Sequence, residues 1–259
     1  MTKLIFLEGV SGAGKSTLAR SLEERLLALG FSARAWVEFD HTNPIDFYCT
    51  AALTGEQYGD LLSRYPDESE AFRKNSIPAG EFTLVRYYHG DDRVFSEPLS
   101  EELYPFELCY HPQRPLPLEV YTEIYRAVWQ SFAESLYKKY DYLIFDGSLI
   151  HHPVNDMIRN YGADKEYALS HVVTLLAALG DTPRAVFYVK TDDLAFQLAL
   201  AHSDRGQPPP SEYELTFWKT RQDYDRYILA GLSEKIEYFS PSDGWEKMHD
   251  RALSSALAI

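Results

Sequence analysis

The residues with the most specific chemistry lie near the amino terminus, where positions 9–16 read Gly-Val-Ser-Gly-Ala-Gly-Lys-Ser. This stretch matches G-x-x-x-x-G-K-[ST], the pattern of a phosphate-binding loop, at every position. Glycines allow such a loop to turn its N–H groups inward, where side chains would block an anion. The pattern therefore predicts a phosphate site, and its expected residues are Gly9, Ser11, Gly12, Ala13, Gly14, Lys15, Ser16 and Thr17.

Two residues of the loop have separate expected roles in phosphoryl chemistry. Lys15 is expected to reach the β- and γ-phosphates and to act in catalysis, and the hydroxyl of Ser16 is expected to bind Mg²⁺. A helix that starts near Lys15 adds the positive end of its dipole to the loop amides. The expected cofactors are therefore ATP and Mg²⁺. The guanine motif Asn-Lys-x-Asp, which would indicate GTP, does not occur in the sequence.

The elements that must position this loop are apolar strands that alternate with amphipathic helices. The loop follows an apolar run at 4–7 and precedes a helical pattern with Leu18, Leu22 and Leu26 on one face. Further strands are predicted at 33–39, 142–145, 185–189 and 236–239, and further helices at 120–140, 164–179, 192–201, 211–230 and 243–257. Strands separated by helices favour a parallel sheet with both faces covered, and a ligand crevice beyond the carboxyl ends of the strands.

The segment 45–118 does not follow this alternation. It is rich in aromatic residues and prolines, and the sequence predicts a mostly irregular and helical insertion there, within a single domain that spans 1–259. Much of the site for a phosphate acceptor is expected to come from this insertion.

Composition limits the classes of partner and compartment. The chain has 259 residues and a formal net charge of −14, from 25 basic and 39 acidic residues. Phosphate backbones require a basic surface, so general nucleic-acid binding is not expected. Two cysteines, Cys49 and Cys109, argue against a disulfide framework and favour the cytoplasm. No apolar run approaches the ~18 residues of a membrane span, so no membrane association is expected.

The loop, with its flanking strand and helix, resembles that of the P-loop small-molecule kinases of the nucleoside and nucleotide kinase superfamily. A weaker likeness covers about 140–240, where the stretch 217–227 resembles the helix that follows the lid of thymidylate-kinase-like proteins. The resemblance implies an α/β fold, the P-loop NTPase three-layer sandwich with a five-stranded parallel sheet, an insertion and a lid at 202–212. The sequence departs from the family at 146–148, which read Asp-Gly-Ser where thymidylate kinases carry Asp-Arg and deoxynucleoside kinases carry Glu-Arg-Ser.

Three acidic residues are candidates for metal binding and proton transfer. Asp146 ends an apolar run, as a Walker B aspartate does, and is expected to orient Mg²⁺; capping of the next turn is the alternative. In many small-molecule kinases a carboxylate after the second strand accepts the proton of the attacking hydroxyl, and Glu38 and Asp40 stand at that place. The period of two puts both on one side of the predicted strand. Asp40 is favoured as the base, with Glu38 as a substrate contact. Two alternatives stay open: that Glu38 is the base and Asp40 the contact, and that both are solvent-exposed acids without a catalytic role.

Basic residues supply the remaining candidates. Arg205 stands in a polar turn at the lid and is expected to stabilise charge on the transferring phosphoryl group; an ordinary surface arginine is the alternative. Arg221 is a second candidate by resemblance, and an ion pair with a neighbouring acid is the alternative role.

The insertion and the segment after the third predicted strand of the sheet supply further candidates. Three arginines of the insertion could each hold an anionic acceptor, namely Arg86, Arg93 and Arg114. The pair His151-His152 is expected to contact substrate rather than to bind metal, because no partner stands at ligand spacing in the sequence.

The expected function is transfer of the γ-phosphoryl group of Mg-ATP to a hydroxyl of a nucleoside-like or sugar-like small molecule. Two alternatives stay open, a nucleoside monophosphate kinase and a nucleotide-hydrolysing regulatory switch. The acceptor is the expected partner, and a second copy of the chain is an open alternative.

Overall fold

The computed structural model describes residues 1–38, 40–111, 116–135 and 139–259. In chain order the strands are β1 (Lys3–Glu8), β2 (Ala33–Trp36), β3 (Thr50–Thr54), β4 (Ser76–Ala79), β5 (Phe82–Arg86), β6 (Tyr88–His89), β7 (Asp92–Arg93), β8 (Tyr142–Asp146), β9 (Arg184–Val189) and β10 (Lys235–Phe239). The α-helices are α1 (Lys15–Ala28), α2 (Gly55–Arg64), α3 (Ser69–Lys74), α4 (Glu97–Leu103), α5 (Leu118–Ser135), α6 (His151–Asp156), α7 (Lys165–Ala178), α8 (Leu194–Asp204), α9 (Glu212–Gly231) and α10 (Trp245–Leu257).

A five-stranded parallel sheet forms the centre of the molecule. Its strand order is β10-β9-β1-β8-β2, and every pairing in it is parallel, so the predicted α/β class and the five-stranded parallel sheet are confirmed. β1 lies in the middle, between β8 and β9. The carboxyl ends of these three strands therefore meet at one edge of the sheet, directly beside the loop at 9–16.

The sheet has a packed core on each face. Ile5 and Leu7 of β1 point into a core shared with α1, α8 and α10, while Leu4 and Phe6 point into a core shared with α5 and α7. Such alternation is the period-two pattern of a strand that is buried on both sides. The arrangement is compatible with a three-layer sandwich, and it makes β1 a rigid support for the loop at its end.

The segment 45–118 contains strands that the sequence prediction missed. Its helices α2, α3 and α4 agree with the predicted helical character, but β3, β5 and β4 form an antiparallel sheet in that order, and β6 pairs with β7. The strands are short, and Pro78 lies inside β4. Proline is a breaker in most strands but is tolerated at a sheet edge, where its missing N–H breaks no ladder, and β4 is such an edge.

The second strand is shorter than predicted. β2 ends at Trp36, and the chain turns at once, with the N–H of Asp40 donating to the carbonyl of Val37 at 3.0 Å. The prediction that Glu38 and Asp40 share one side of a strand is therefore wrong, because neither residue is in a strand. Phe39 lies outside the described residues, as do Leu136 at the end of the predicted helix 120–140 and Arg114 in the insertion.

The other predicted helices lie close to their expected positions, and α6 is an addition. The ring of Pro153 stands in the first turn of α6, where its missing N–H is harmless, and one π-helical turn, Met157–Tyr161, continues the helix. Across the described ranges, no helix is both long enough and apolar enough to cross a membrane.

Candidate active site

The backbone of the loop requires glycine at positions where a side chain would collide. Gly9 has φ +144°, and a Cβ atom there would lie 2.5 Å from the carbonyl oxygen of Val189 at the end of β9. Gly14 has φ +95°, caps the start of α1, and would press a Cβ atom into the ring of Trp245. Both glycines therefore hold the loop against the carboxyl edge of the sheet in a conformation that side chains disfavour.

The two residues with predicted roles in phosphoryl chemistry, Lys15 and Ser16, are both held by hydrogen bonds. Lys15 is buried and its Nζ donates to the carbonyl of Val10 at 3.0 Å. The Ser16 hydroxyl donates to Oδ2 of Asp146, a buried carboxylate at the end of β8, at 2.5 Å. A hydroxyl and a carboxylate held together are the oxygen ligands that Mg²⁺ prefers, so these two residues fit the ion.

A cavity of about 220 Å³ lies over the loop. Loop residues and the carboxyl-terminal end of α8 form its wall, together with Glu38. Its lining residues are Ser11, Gly12, Gly14, Lys15, Ser16, Thr17, Glu38, Gln197, Ala201, Asp204 and Arg205. We call this space the loop cavity.

A second cavity of about 250 Å³ adjoins the first and shares Ser11 and Glu38 with it. Its wall combines aromatic rings with two carboxylates, two histidines and one arginine. Its lining residues are Ser11, Glu38, Asp46, Tyr48, Tyr110, His151, His152, Asn155, Arg159 and Trp218. We call this space the side cavity.

The structure separates the two candidate bases. Glu38 lines both cavities. Asp40 lines neither, and its carboxylate pairs with Arg34 at 2.9 Å and accepts hydrogen bonds from the backbone and hydroxyl of Thr42. The geometry therefore brings Glu38 to the loop, while Asp40 closes a turn beside it.

The predicted lid arginine also reaches the loop cavity. Arg205 follows α8, with its N–H bonded to carbonyls in the last turn of that helix, and its side chain lines the loop cavity beside Asp204. The predicted lid at 202–212 thus consists of the end of α8, a turn and the start of α9, which Ser211 and Glu214 cap.

Arg221 of α9 lies behind the side cavity instead of inside it. It is fully buried, donates from Nε to Oδ1 of Asn155 at 2.8 Å, and pairs with Asp225, which also accepts the hydroxyl of Tyr188 at 2.8 Å. Its role is the predicted ion pair with a neighbouring acid. Through Asn155, it fixes one wall of the side cavity.

Both histidines that follow β8 face the side cavity with their Nδ1 atoms engaged. His151 holds the carbonyl of Gly9 at 2.8 Å, and its ring stacks on Trp218. His152 holds Oδ2 of Asp46 at 2.7 Å. Burial lowers the pKa of His151 well below its usual value, with help from the charge of Lys15. Burial also opposes charge on His152, but the Asp46 carboxylate outweighs it and raises the pKa of His152 to about 9.

These histidines form a cluster with Glu38. One ligand atom from each of Glu38, His151 and His152 lies within 4.8 Å of the others, so the three could hold a metal ion. The cluster could not be predicted from the sequence, because Glu38 and His151 are far apart in the chain and only the fold brings them together.

The buried carboxylate of Glu8 holds the backbone of one member of this cluster, His151. Glu8, the last residue of β1, accepts the backbone N–H groups of Leu149 at 3.0 Å and His151 at 2.8 Å. Burial raises the pKa of Glu8 to about 7, against those hydrogen bonds and the charge of Lys15. Glu8 therefore fixes the start of α6, and with it the position of His151.

The arginines of the insertion do not line the two cavities among the described residues. Arg86 is buried and donates to the backbone carbonyls of Asn43 and Asp46, at 3.2 Å and 2.8 Å. Arg93 donates to the Tyr88 hydroxyl and pairs with Glu97 on the surface. Both therefore have structural partners.

Several residues of the side cavity had no motif to mark them in the sequence. Asp46, Tyr48 and Tyr110 come from the insertion, while Arg159 follows α6. Tyr110 has φ +64°, a conformation that non-glycine residues adopt at cost, and its backbone N–H donates to Asp156. Aromatic residues in an irregular segment predict packing as readily as binding, so the sequence could not single them out.

No family model matches this chain. A comparison with curated proteins also finds none that matches.

Proposed function

We propose that this protein is an ATP- and Mg²⁺-dependent phosphotransferase that acts on a hydroxyl of a small molecule. The resemblance of the loop to those of P-loop small-molecule kinases supports the donor half of the reaction. The observation that carries the proposal is the pair of adjoining cavities, because a second cavity with Glu38 at the junction gives a place for an acceptor beside the phosphate loop.

In the proposed reaction, the loop cavity holds the phosphates of ATP. The loop N–H groups and Lys15 bind the phosphate oxygens, and Arg205 stabilises charge on the transferring group. Ser16 and Asp146 would hold Mg²⁺, which supplies positive charge that offsets the charge of the phosphates. The protein forms no covalent bond to the substrate in this reaction. Most of the rate enhancement comes from positioning ATP and the acceptor and from stabilising negative charge on the transferring phosphoryl group.

Glu38 is the proposed general base. It stands where the two cavities meet, so a hydroxyl in the side cavity could donate its proton to the carboxylate while its oxygen faces the γ-phosphate. Asp40 does not take this role in the proposal, since its oxygens are engaged by Arg34 and Thr42.

The wall of the side cavity favours an acceptor without a phosphate group. Its two carboxylates, Glu38 and Asp46, stand against two cationic groups: His152, whose pKa Asp46 raises to about 9, and Arg159, which lies over the ring of Phe217 at 4.1 Å. The wall therefore offers no excess of positive charge for a phosphate group. The rings of Tyr48, Tyr110 and Trp218 offer flat apolar surface. A neutral or cationic compound with a ring and free hydroxyls, such as a nucleoside or an amino sugar, fits this wall better than a nucleoside monophosphate.

The test is ADP release from Mg-ATP with pooled nucleosides, nucleoside monophosphates, sugars and amino sugars. We expect one neutral or cationic pool to stimulate release by the wild type. Lys15→Ala should lose this stimulation while circular dichroism shows an intact fold, and Lys247→Ala, which removes an exposed lysine of α10, should keep it. Slow hydrolysis that no pool stimulates would favour a regulatory switch, and stimulation by monophosphates alone would contradict the proposed acceptor class.

A further inference from the structure

Outside the loop at 9–16, the structure brings together three metal-ligating side chains from two segments of the chain. Glu38 comes from the turn after β2, and His151 and His152 begin α6. Two imidazoles and one carboxylate form the ligand set of protein sites for first-row divalent metals that keep open coordination positions. The Mg²⁺ pair, Ser16 and Asp146, offers oxygen ligands only, so the two sets differ in chemistry.

The hydrogen bonds of both rings engage Nδ1, so Nε2 is the atom that would bind a metal. At His152, which Asp46 holds protonated at neutral pH, the metal must displace the Nε2 proton. The carbonyl of Gly9 can only accept, so Nδ1 of His151 must carry the proton in their 2.8 Å contact. The Asp46 carboxylate holds Nδ1 of His152 in the same way at 2.7 Å. A carbonyl or carboxylate behind each histidine is the usual arrangement around metal-bound imidazole, where it fixes the tautomer and the direction of the ring.

The rings are also held rigidly before any ligand binds. His151 is buried against Trp218, with ring centroids 5.4 Å apart and nearly parallel planes, and Glu8 fixes its backbone N–H. Glu38 is the adaptable member, since it lies in a turn and has several rotatable bonds. Ligand atoms around tetrahedral zinc lie about 3.3 Å apart, and those of the cluster all lie within 4.8 Å of one another, so the cluster closes with shifts of about 1.5 Å or less.

We propose that Glu38, His151 and His152 form a binding site for a first-row divalent transition metal such as Zn²⁺, open toward the side cavity. The side cavity, at about 250 Å³, has room for water or a ligand oxygen at the remaining coordination position. The inference goes beyond the proposed phosphotransferase and does not need it. If both hold, metal binding would occupy Glu38 and compete with its role as base, so Zn²⁺ would inhibit transfer.

The experiment is calorimetric titration of chelator-treated protein with Zn²⁺, without nucleotide. We expect one equivalent to bind, Glu38→Gln and His152→Ala each to weaken binding at least tenfold, and Asp46→Asn to weaken it by about 10- to 100-fold through the His152 ring. Co²⁺ should give visible ligand-field absorption in the wild type that is lost in the same variants. Circular dichroism checks that each variant folds.

Two controls separate this site from its neighbours. Ser16→Ala should bind Zn²⁺ as the wild type does, since it alters only the Mg²⁺ pair. His41→Ala should also keep binding; it removes one ring of the stacked His41–His89 pair, whose centroids lie 4.3 Å apart. The inference is overturned if the wild type binds no Zn²⁺ stoichiometrically, if Glu38→Gln and His152→Ala bind as well as the wild type, or if His41→Ala removes binding. None of these outcomes depends on whether the protein transfers phosphate.

Discussion

Glu38 and Asp40 show how local hydrogen bonds decide which of two like residues can act. They are two positions apart and have the same charge, yet only Glu38 lines the cavities, because Arg34 and Thr42 hold Asp40 in a turn. The sequence favoured Asp40 on the assumption of a strand through both residues. The assumption fails because the chain turns between Val37 and Asp40, and side chains in a turn do not alternate between two faces as they do in a strand.

Substitution of each acid by its amide tests this difference. Glu38→Gln should lower acceptor-dependent kcat by about 10²-fold or more, because loss of a general base has effects of about 10²- to 10⁴-fold. Asp40→Asn should keep kcat within about threefold and destabilise the fold by roughly 0.5 kcal/mol, the scale of one partly exposed ion pair. Steady-state kinetics with the stimulating acceptor and urea unfolding give the two quantities. A larger kinetic loss in Asp40→Asn than in Glu38→Gln would exchange the two roles.

At the scale of elements, segments with a strong hydrophobic periodicity could be predicted, and segments that depend on long-range strand pairing could not. The apolar run at 4–7 and the Leu18, Leu22 and Leu26 face anticipated β1 and α1 because burial against a sheet leaves a clear periodicity. β3 and β5 pair although they are far apart in the sequence, so their local sequence does not reveal the pairing. Pro78 in β4 argues against a strand in a sequence-based prediction, although proline is tolerated in an edge strand. The sequence predicted that the insertion and the pair His151-His152 contribute to an acceptor site, but it could not show that these segments meet α9 and Glu38 around one cavity.

The next prediction concerns Gly14, at the junction between the loop at 9–16 and α1. Gly14→Ala should abolish ATP binding and destabilise the protein by roughly 1 to 3 kcal/mol, because a Cβ atom at φ +95° is strained and also meets Trp245. Gly30→Ala is the matched control: Gly30 has φ +89° but no atom within 4 Å of the added Cβ, so it carries the backbone strain alone. We expect Gly30→Ala to lose about 1 kcal/mol of stability and to keep ATP binding.

Calorimetric binding of a non-hydrolysable ATP analogue and urea unfolding measure both variants. Gly14→Ala combined with Trp245→Ala should recover part of the stability, since the added methyl group then meets open space. Normal ATP binding by Gly14→Ala would show that the loop conformation is adaptable and that the glycine is not required for phosphate binding.

At the scale of the whole molecule, stability depends on buried titratable groups. His171 of α7 is buried against Tyr121 and Tyr125 of α5, with Nδ1 2.9 Å from the Thr122 hydroxyl. Burial lowers its pKa to about 3. Unfolded chains bind a proton at this side chain below pH 6.5, whereas the folded protein does not until about pH 3, so His171 makes the fold less stable as the pH falls through that window.

Other buried groups act in the opposite direction. Burial raises the pKa of Glu8 to about 7 and that of Asp156 to about 6, so each contributes stability that is present at acid pH and lost as the pH rises through those values. The pH profile of the wild type is the sum of these effects and does not identify any one residue. A difference between the wild type and one variant removes the shared contributions.

His171→Phe isolates the histidine, because it keeps a ring between α5 and α7 and removes the titrating group. Between pH 6.5 and 4.5 the wild type should lose about 2 kcal/mol more of its unfolding free energy than the variant, from 1.36 kcal/mol per pKa unit. Urea unfolding at a series of pH values measures both. Thr122→Val removes the hydrogen bond to Nδ1 but leaves the imidazole buried, so its pH dependence should follow that of the wild type. Parallel profiles for the wild type and His171→Phe would mean that α5 and α7 admit water or a proton to His171 while the protein stays folded.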